Sequence, residues 1–441
     1  MRRLFRNACI VMIDDHDTIL QGDLLIQGAQ IAAIGPSLAV SADEVIDARG
    51  RVIMPGLVQT HIHLAQTLFR SQADDWELLD WLQQRILPLE AAHDPDSLFY
   101  SASLGLAELI RSGTTAIVDM ATVHHTDSVF QAILQSGIRA ISGKVMMDCG
   151  EGVPPRLLQS ADLALEESVR LMEAWHKKGA GRIRYGLCPR FAVSCSDDLL
   201  RETARLAEFH GLHIHTHASE NLGEIALVER ERGARNIEYL HSVGCVHERA
   251  VLAHCVHVDD AEIDLLARQG AHVAHCPGSN LKLASGIAPV PKLMARGVNV
   301  SLGADGAACN NNLDPFQEMR LAALIQKPLH GPRAMDARTV LRMATLNGAK
   351  AMGLADQIGS LEVGKQADLI MVDLGGLHTW PAADVASRLV YAARGSDVCL
   401  TMVDGQILMR DGSLTTLETG RIQSGATLAI DRLLRAIGAK A

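Results

Sequence analysis

Apolar runs alternate with amphipathic stretches through the middle of the chain, whereas both ends contain short strands separated by turns. Eight apolar runs lie between residues 55 and 305, and they read "PGLVQTHIH", "TTAIVDM", "RAISGKVMM", "RIRYGLCPRF", "LHIHTHASE", "AVLAHCVH", "AHVAHCP" and "VNVSLGAD". The segments between them include "DDLLRETARLAEFHG" and "DDAEIDLLARQG", which have helical patterns and close in Gly, a common residue just past a helix end. Strands alternating with helices are typical of parallel βα units, so eight of them predict an α/β fold, a closed (β/α)8 TIM barrel.

The two ends of the chain share a different pattern, in which short apolar segments are separated by turn residues. "NACIVMID", "GDLLIQGAQIAAIG" and "EVIDARGRVIMPG" near the start resemble "GKQADLIMVDL" and "VCLTMVDGQILMRDG" near the end, since all are short strands with turns. We therefore predict a small β-sandwich domain built from both termini. The predicted boundaries are residues 1–56 for its first part, 57–356 for the barrel, and 357–441 for its second part with a terminal helix.

Polar residues recur where the predicted barrel strands end. They are His61, His63, Asp119, Arg190, His217, His254, His275 and Asp305. Barrel active sites are built at the carboxyl ends of the strands, so this shared position predicts a functional site there.

His61 and His63 point to one side of their strand, because side chains in a strand alternate between its faces. Two such imidazoles either fill a polar niche or hold a metal. His217 and Asp305, at two further strand ends, favour the metal, because imidazole nitrogens and a carboxylate oxygen suit a divalent cation such as Zn²⁺ with one position left for water. His213 and His215 lie deeper on their strand and are expected to be interior histidines.

Two further residues are candidates for proton transfer. Glu220 lies three residues beyond His217, where it is either a carboxylate favoured by a helix N-terminus or a proton shuttle beside the metal. His254 could bind a second metal or hydrogen-bond to the water on the first one.

Composition narrows the class of protein. The formal charge is −10 and we find no long basic run, so a nucleic-acid partner is not expected. No run approaches the roughly 18 apolar residues that a membrane span requires. Nine scattered cysteines without a CxxC motif indicate reduced thiols, so we expect a cytoplasmic protein.

In this order, "PGLVQTHIH", "HTHASE", "LAHCVH", "HCPGSNLKLASG" and "LGADGAACNNN" resemble the amidohydrolase superfamily. Within it they are similar to the aminohydrolase branch, which contains methylthioadenosine/S-adenosylhomocysteine, 5'-deoxyadenosine and guanine deaminases and s-triazine hydrolases. The resemblance covers nearly the whole chain. It implies that His61, His63, His217 and Asp305 bind one metal, and that Glu220 and His254 are catalytic without being ligands.

The resemblance also implies a reaction. Asp305 would accept a proton from water, His254 would orient that water, and Glu220 would protonate a ring nitrogen beside the attacked carbon. Binuclear relatives carry a carboxylated lysine at the end of strand four, where this chain has "RIRYGLCPRF" without lysine, so one metal is expected. Zinc is the default, with Fe²⁺ or Mn²⁺ as alternatives. Relatives that serve only as binding proteins have lost ligands, whereas all are present here.

The predicted substrate is a small aminated heterocycle of the purine type. Glu90 lies 29 residues after His61, and in methylthioadenosine-type deaminases a glutamate at this spacing holds the ribose hydroxyls. That spacing favours the 6-amino group of an adenosine-like substrate. Trp81 either packs its segment onto the barrel or stacks on the flat substrate.

Two features depart from the adenosine-type pattern, since those enzymes usually have a His in place of Arg190 and often an apolar residue in place of Gln66. Gln66, Arg190 and Phe191 resemble guanine deaminase, where the corresponding residues contact the base; structurally, Gln66 could instead cap a helix and Arg190 could pair with an acid. Guanine or 8-oxoguanine is therefore the second predicted substrate and a triazine the third. A cyclic-amide hydrolase with two metals is a further alternative, and a homo-oligomer is possible.

Overall fold

The computed structural model describes residues 1–439, and its strands form two sheets. The first five strands are β1 (Arg2–Val11), β2 (Ile19–Gln27), β3 (Gln30–Gly35), β4 (Glu44–Asp47) and β5 (Arg51–Pro55). The barrel strands are β6 (Leu57–Ile62), β7 (Thr114–Met120), β8 (Arg139–Gly143), β9 (Val145–Met146), β10 (Ile183–Pro189), β11 (His213–Ala218), β12 (Ala250–His254), β13 (His272–His275) and β14 (Asn299–Leu302). The last four are β15 (Leu369–Asp373), β16 (Val398–Val403), β17 (Gln406–Arg410) and β18 (Ser413–Leu414).

Helices connect the barrel strands, and one further helix follows the last strand. They are α1 (Leu78–Trp81), α2 (Leu87–Ala92), α3 (Pro95–Arg111), α4 (Thr126–Ser136), α5 (Ala161–Trp175), α6 (Asp197–His210), α7 (Leu222–Arg232), α8 (Asn236–Ser242), α9 (Asp260–Gln269), α10 (Pro277–Lys282), α11 (Val290–Ala295), α12 (Ala307–Asn310), α13 (Pro315–Ile325), α14 (Lys327–His330), α15 (Ala337–Met343), α16 (Leu346–Ala351), α17 (Val385–Tyr391) and α18 (Thr419–Ala436). Short 3₁₀ turns span Leu64–Phe69, Pro155–Leu157, Leu377–Thr379 and Gly395–Asp397, and a π-helical turn spans Leu82–Ile86.

The barrel strands are parallel and follow chain order around the sheet, except that the short β9 pairs only with β10. The ring closes where the chain after β14 meets β6, because the backbone nitrogen of Asp305 donates to the carbonyl oxygen of His61 at 3.0 Å. Gly303 permits this approach, since a Cβ there would lie 2.7 Å from that oxygen. The predicted (β/α)8 barrel is confirmed, and each of the eight predicted runs contains a barrel strand.

Local sequence signals define the helices on either side of β11 and β12. The side chain of Ser196 caps α6, and Asp259 forms a capping box with Glu262 at the start of α9. Gly211 and Gly270 end these helices with φ values of 65° and 66°, the left-handed conformation that glycine adopts without a steric cost. These are the two helices predicted from "DDLLRETARLAEFHG" and "DDAEIDLLARQG".

The smaller sheet combines strands from both ends of the chain. Its order is β18-β17-β16-β15-β5-β1-β2-β3 with β4 beside β1, and β5 pairs antiparallel with β15. One face buries Phe5, Ile26 and Met371 in a cluster whose members come from the sheet and its connections, so the sheet packs against itself. On the opposite face, Ile370 and Val372 join the core of the barrel.

The small domain from both termini is therefore confirmed, and its strands form one continuous hydrogen-bonded sheet. β5 ends at Pro55 and β6 begins at Leu57, whereas the exact domain boundaries stay predictions. The last two residues of the predicted range 357–441 lie outside the described residues. All nine cysteines are free thiols. No helix within residues 1–439 is long and apolar enough to cross a bilayer.

Candidate active site

Three histidines from two strands converge at the carboxyl end of the barrel. His61 is in β6, His63 follows it, and His217 is in β11. The Nε2 atoms of His63 and His217 lie 3.2 Å apart, and the ring centroid of His61 is 4.8 Å from each of the other two. His61 and His63 are buried, and His217 is partly exposed at the wall of a cavity. The alternation of side chains predicted from the sequence thus brings them to one point.

The other nitrogen of each imidazole is fixed by a hydrogen bond. Nδ1 of His63 donates to the carbonyl oxygen of Met120 at 2.9 Å, and Nδ1 of His217 donates to that of Arg190 at 2.7 Å. Nδ1 of His61 lies 2.7 Å from Nε2 of His215, whose own Nδ1 donates to a backbone carbonyl. Because a carbonyl only accepts, each Nδ1 carries the proton and each Nε2 presents a lone pair to the shared space.

Asp305 completes this cluster from the chain after β14. Its Oδ1 lies 3.2 Å from Nε2 of His61 and 3.4 Å from Nε2 of His63. Burial opposes ionisation, but the attraction of His61 when its ring is protonated holds the pKa of Asp305 well below its usual range. Asp305 has a φ of 61°, and Ser219, His254 and Cys255 at two other strand ends are also left-handed. Non-glycine residues in this conformation store strain, which is typical of functional sites.

This donor set fits a divalent cation. Two groups of side chains, His61–His63–His217 and His61–His254–Asp305, each place their ligand atoms within 4.8 Å of one another. Nε2 of His61 is buried and has no hydrogen-bond partner. Burial lowers the pKa of His63 to about 4 and holds the pKa of His217 well below its usual value, so both imidazoles are neutral. Neutral imidazoles and an ionised carboxylate are ligands that Zn²⁺ prefers.

Glu220 lies beside this cluster. Its Oε2 is 3.5 Å from Nε2 of His254, and its Oε1 is 3.5 Å from the hydroxyl of Ser285. Burial raises the pKa of Glu220 to about 7, although the adjacent His254 opposes the shift. The backbone nitrogen of Glu220 donates to Glu224 at 2.9 Å, so a second buried carboxylate fixes its backbone. A carboxylic acid that keeps its proton near neutral pH is suited to general acid catalysis.

His254 connects Glu220 to Asp305. Its Nε2 is 3.8 Å from Oδ2 of Asp305 and has no hydrogen-bond partner, whereas its Nδ1 lies 2.8 Å from Oδ1 of Asn280. Because that amide oxygen only accepts, Nδ1 carries the proton and Nε2 faces the cluster as an acceptor when the ring is neutral.

A cavity opens directly above these groups. It is lined by His63, Gln66, Leu78, Trp81, Leu82, Arg190, Phe191, His217, Glu220, Glu224, His254, Leu283 and Asp305. The segment that contains α1 supplies Leu78, Trp81 and Leu82, and the buried Trp81 presents a flat aromatic wall. Of the predicted substrate contacts, Gln66, Trp81, Arg190, Phe191 and Glu220 lie at the cavity.

Glu90 is not among the residues that line this cavity. Both of its carboxylate oxygens are bound by Arg190, and one also accepts from Gln66. Its predicted contact with ribose hydroxyls stays a prediction, since in this structure the carboxylate is directed to protein groups.

The sequence did not single out Asn280, Glu224 or the apolar residues Leu78, Leu82 and Leu283. Asn280 belongs to "HCPGSN", a segment that the resemblance already included, so the motif was visible without its role. Asp119 and His275 end their strands as predicted but do not line the cavity. Asp119 instead accepts from the backbone nitrogen of Leu64 at 2.9 Å and fixes the chain just after His63.

A parallel barrel with polar residues converging on its carboxyl-terminal face, and a small sheet shared by both termini, define this chain as a barrel hydrolase. It belongs to the amidohydrolase family, whose family model matches residues 52–408. It is 43% identical to a 5'-deoxyadenosine deaminase of Methanothermobacter thermautotrophicus, covering 95% of this chain and 96% of the relative. It is 40% identical to a 5-methylthioadenosine/S-adenosylhomocysteine deaminase of Moorella thermoacetica, covering 97% and 99%.

A solved structure agrees over the same length. An adenosine deaminase from Xanthomonas campestris with bound zinc superposes with a TM-score of 0.93 at 34% identity, covering 98% of each chain. The sequence-based identification of the family is therefore confirmed, and so is the prediction of a hydrolytic enzyme.

Proposed function

We propose that this protein is a metal-dependent aminohydrolase that replaces the 6-amino group of an adenosine-like substrate by oxygen and releases ammonia. The substrates that we rank first are 5'-deoxyadenosine, methylthioadenosine and S-adenosylhomocysteine. The observation that carries the proposal is a protonatable carboxyl group, Glu220, held beside His254 and Asp305 at the wall of one cavity.

His61, His63, His217 and Asp305 would hold one divalent cation, with Zn²⁺ preferred over Fe²⁺ and Mn²⁺. Such a cation lowers the pKa of water towards neutrality and thereby supplies a hydroxide nucleophile. The buried Lys144 contacts Gln159 and Glu167. It is therefore not directed at this cluster, which supports one metal rather than a binuclear, lysine-bridged centre.

The side chains divide the proton transfers between them. Asp305 accepts a proton from the attacking water, and His254 in its protonated form donates from Nε2 to the oxygen and stabilises the charge that develops on it. Glu220 donates its proton to the ring nitrogen beside the attacked carbon, because that carbon is a poor electrophile until the nitrogen is protonated. The carbon–oxygen bond forms, and the amino group takes up the proton that Asp305 accepted. The carbon–nitrogen bond then breaks to release ammonia, while the new hydroxyl gives its proton back to Glu220 as the carbonyl forms.

The relatives support an adenosine-like substrate, since both are named for deamination of adenosine derivatives. A guanine-type base is the second candidate, because Gln66, Arg190 and Phe191 line the cavity together. These side chains offer an amide, a guanidinium and an aromatic ring to the substrate. A cytoplasmic location and a homo-oligomeric state stay predictions.

The decisive experiment measures ammonia release by zinc-loaded protein. The panel contains 5'-deoxyadenosine, methylthioadenosine, S-adenosylhomocysteine, guanine, 8-oxoguanine and melamine. We expect ammonia from at least one adenosine derivative with the highest kcat/KM. Ammonia from guanine and from no nucleoside would replace our first candidate by the second. No ammonia from any compound, with one equivalent of metal bound, would refute the proposed function.

A further inference from the structure

Glu90, in α2, is a buried carboxylate, and both of its oxygens accept hydrogen bonds from protein side chains. Oε2 accepts from Nη1 of Arg190 at 2.6 Å, and Oε1 accepts from Nη2 of Arg190 at 3.2 Å and from Nε2 of Gln66 at 2.8 Å. Only about 3% of Glu90 and 3% of Arg190 is exposed. Two parallel hydrogen bonds between a guanidinium and a carboxylate fix the planes of both groups, so neither side chain turns independently.

This contact sets the orientation of Gln66. A carboxylate only accepts, so the amide nitrogen of Gln66 must face Glu90 and the amide oxygen must face away from it. That oxygen is buried and has no hydrogen-bond partner. It lies over Gly306, where a Cβ would be only 2.5 Å from it, and Gly306 directly follows Asp305. An unpartnered buried acceptor beside the reaction centre is costly unless a ligand donates to it.

Arg190 is oriented by the same carboxylate. Two of its five N–H groups are directed to Glu90, which leaves three for other partners, and Arg190 lines the cavity. Its backbone carbonyl also accepts from His217 at 2.7 Å, so the residue lies directly beside the histidine cluster. Gln66 and Arg190 therefore present one acceptor and several donors to the cavity from a shared support.

We propose that Glu90 is a positioning residue that acts on the substrate's heterocycle through Gln66 and Arg190, rather than a residue that binds sugar hydroxyls. The inference rests on the proposed function for its substrate class. It assigns recognition of the ring to the Gln66 oxygen, which requires an N–H donor on the substrate, and to the guanidinium of Arg190. A sugar attached to the ring would be bound by other residues or would make no specific contact with the protein.

The test compares Glu90→Gln with wild type on two substrates, 5'-deoxyadenosine and the analogue that lacks both ribose hydroxyls. If Glu90 acts on the ring, the substitution lowers kcat/KM by a similar factor for both compounds, on the order of a hundredfold for a misplaced contact. If Glu90 binds the hydroxyls, the loss appears with 5'-deoxyadenosine and vanishes with the analogue, which would overturn the inference. This cycle isolates the pairwise interaction between the carboxylate and the hydroxyls.

Two further variants separate positioning from general destabilisation. Glu108→Gln removes another glutamate that is paired with an arginine, Arg70, away from the cavity, so it should leave kcat/KM unchanged. Arg190→Gln removes a ring contact itself and should lower kcat/KM at least as much as Glu90→Gln. The double variant Glu90→Gln/Arg190→Gln should lose less than the product of the two single losses, because Glu90 acts in part through Arg190. Independent, multiplicative losses would contradict the inference.

Titration calorimetry makes the same comparison without turnover when it uses the deaminated products of these nucleosides, which have no 6-amino group left to release, with zinc-loaded wild type and Glu90→Gln. Binding without ammonia release would refute the proposed function, and the calorimetric comparison would still decide the role of Glu90. Failure of wild type to bind either nucleoside would overturn both proposals.

Discussion

Nδ1 of His254 lies 2.8 Å from Oδ1 of Asn280, and this contact directs the opposite nitrogen of the ring toward Glu220 and Asp305. Both partners are buried, so water does not replace the hydrogen bond. The position of His254 therefore depends on a residue that never reaches the cavity. Asn280 belongs to α10, which directly follows β13, so the barrel itself sets this orientation.

Replacing Asn280 should weaken catalysis without removing the metal. We expect Asn280→Ala to lower kcat/KM by roughly 10- to 100-fold, as is typical when a supporting partner of a site histidine is lost. Asn280→Asp keeps an oxygen acceptor in the same place and should retain more activity. Steady-state kinetics with metal analysis checks this prediction. Wild-type kinetics in the alanine variant would show that the contact has no catalytic role.

Removing the acid should leave the metal site intact. We expect Glu220→Gln to reduce kcat by several orders of magnitude while metal content stays at the wild-type level, because Glu220 is not one of the proposed ligands. Full activity in this variant would refute its role as the acid.

The pH profile of wild type provides an independent measure of the same group. A general acid must be protonated, and the pKa of Glu220 is about 7, so kcat should fall as pH rises through that value. The residual activity of Glu220→Gln should lack this decline. A decline of the same steepness and midpoint in both proteins would assign it to another group.

The histidine cluster should bind one equivalent of metal per chain. We expect His217→Ala to lose both metal and activity, and a chelator to inactivate wild type reversibly. Since a ligand that binds only the folded state stabilises it, the melting temperature should fall on metal removal. The exposed His16→Ala serves as the matched control. Elemental analysis that finds two equivalents would favour a binuclear hydrolase.

Glu318 should make the folded state less stable as pH rises. Its carboxylate accepts from the Asn310 side chain at 2.8 Å and from the backbone of Gly278 at 2.9 Å, and burial raises its pKa to about 7. The folded state therefore binds more protons than the unfolded state between about pH 4.5 and 7, so the free energy of unfolding declines across this range. The shift corresponds to a loss of up to about 3 kcal/mol.

Urea unfolding between pH 5 and 8 measures this effect. Glu318→Gln cannot ionise, so its free energy of unfolding should depend less steeply on pH than that of wild type. Contributions from Glu220 are common to both proteins and cancel in the difference. Parallel curves for the two proteins would show that Glu318 does not titrate in this range.

The sequence predicted the barrel and the residues at its strand ends because both are local signals. Each strand is a short apolar run, and the period of two within a strand already places His61 and His63 on one side. The parallel barrel then brings its strand ends to one face, which explains why His217 and Asp305 could be grouped with them from positions far apart in the chain.

The remaining features depend on rotamers and contacts that no local pattern contains. Spacing located Glu90 but could not show that Arg190 and Gln66 occupy its carboxylate. The pairing of Asn280 with His254 joins two segments through side chains alone. A sheet formed from both ends was expected from the similar strand-and-turn pattern there. Only the structure shows that β5 pairs with β15, and in which register.

That union also affects how the protein is made. β5 (Arg51–Pro55) finds its antiparallel neighbour only when Leu369–Asp373 has left the ribosome, so the N-terminal strands keep an open, apolar edge during most of translation. The nascent chain is thus open to intermolecular strand pairing at β5 until β15 is synthesised and docks there.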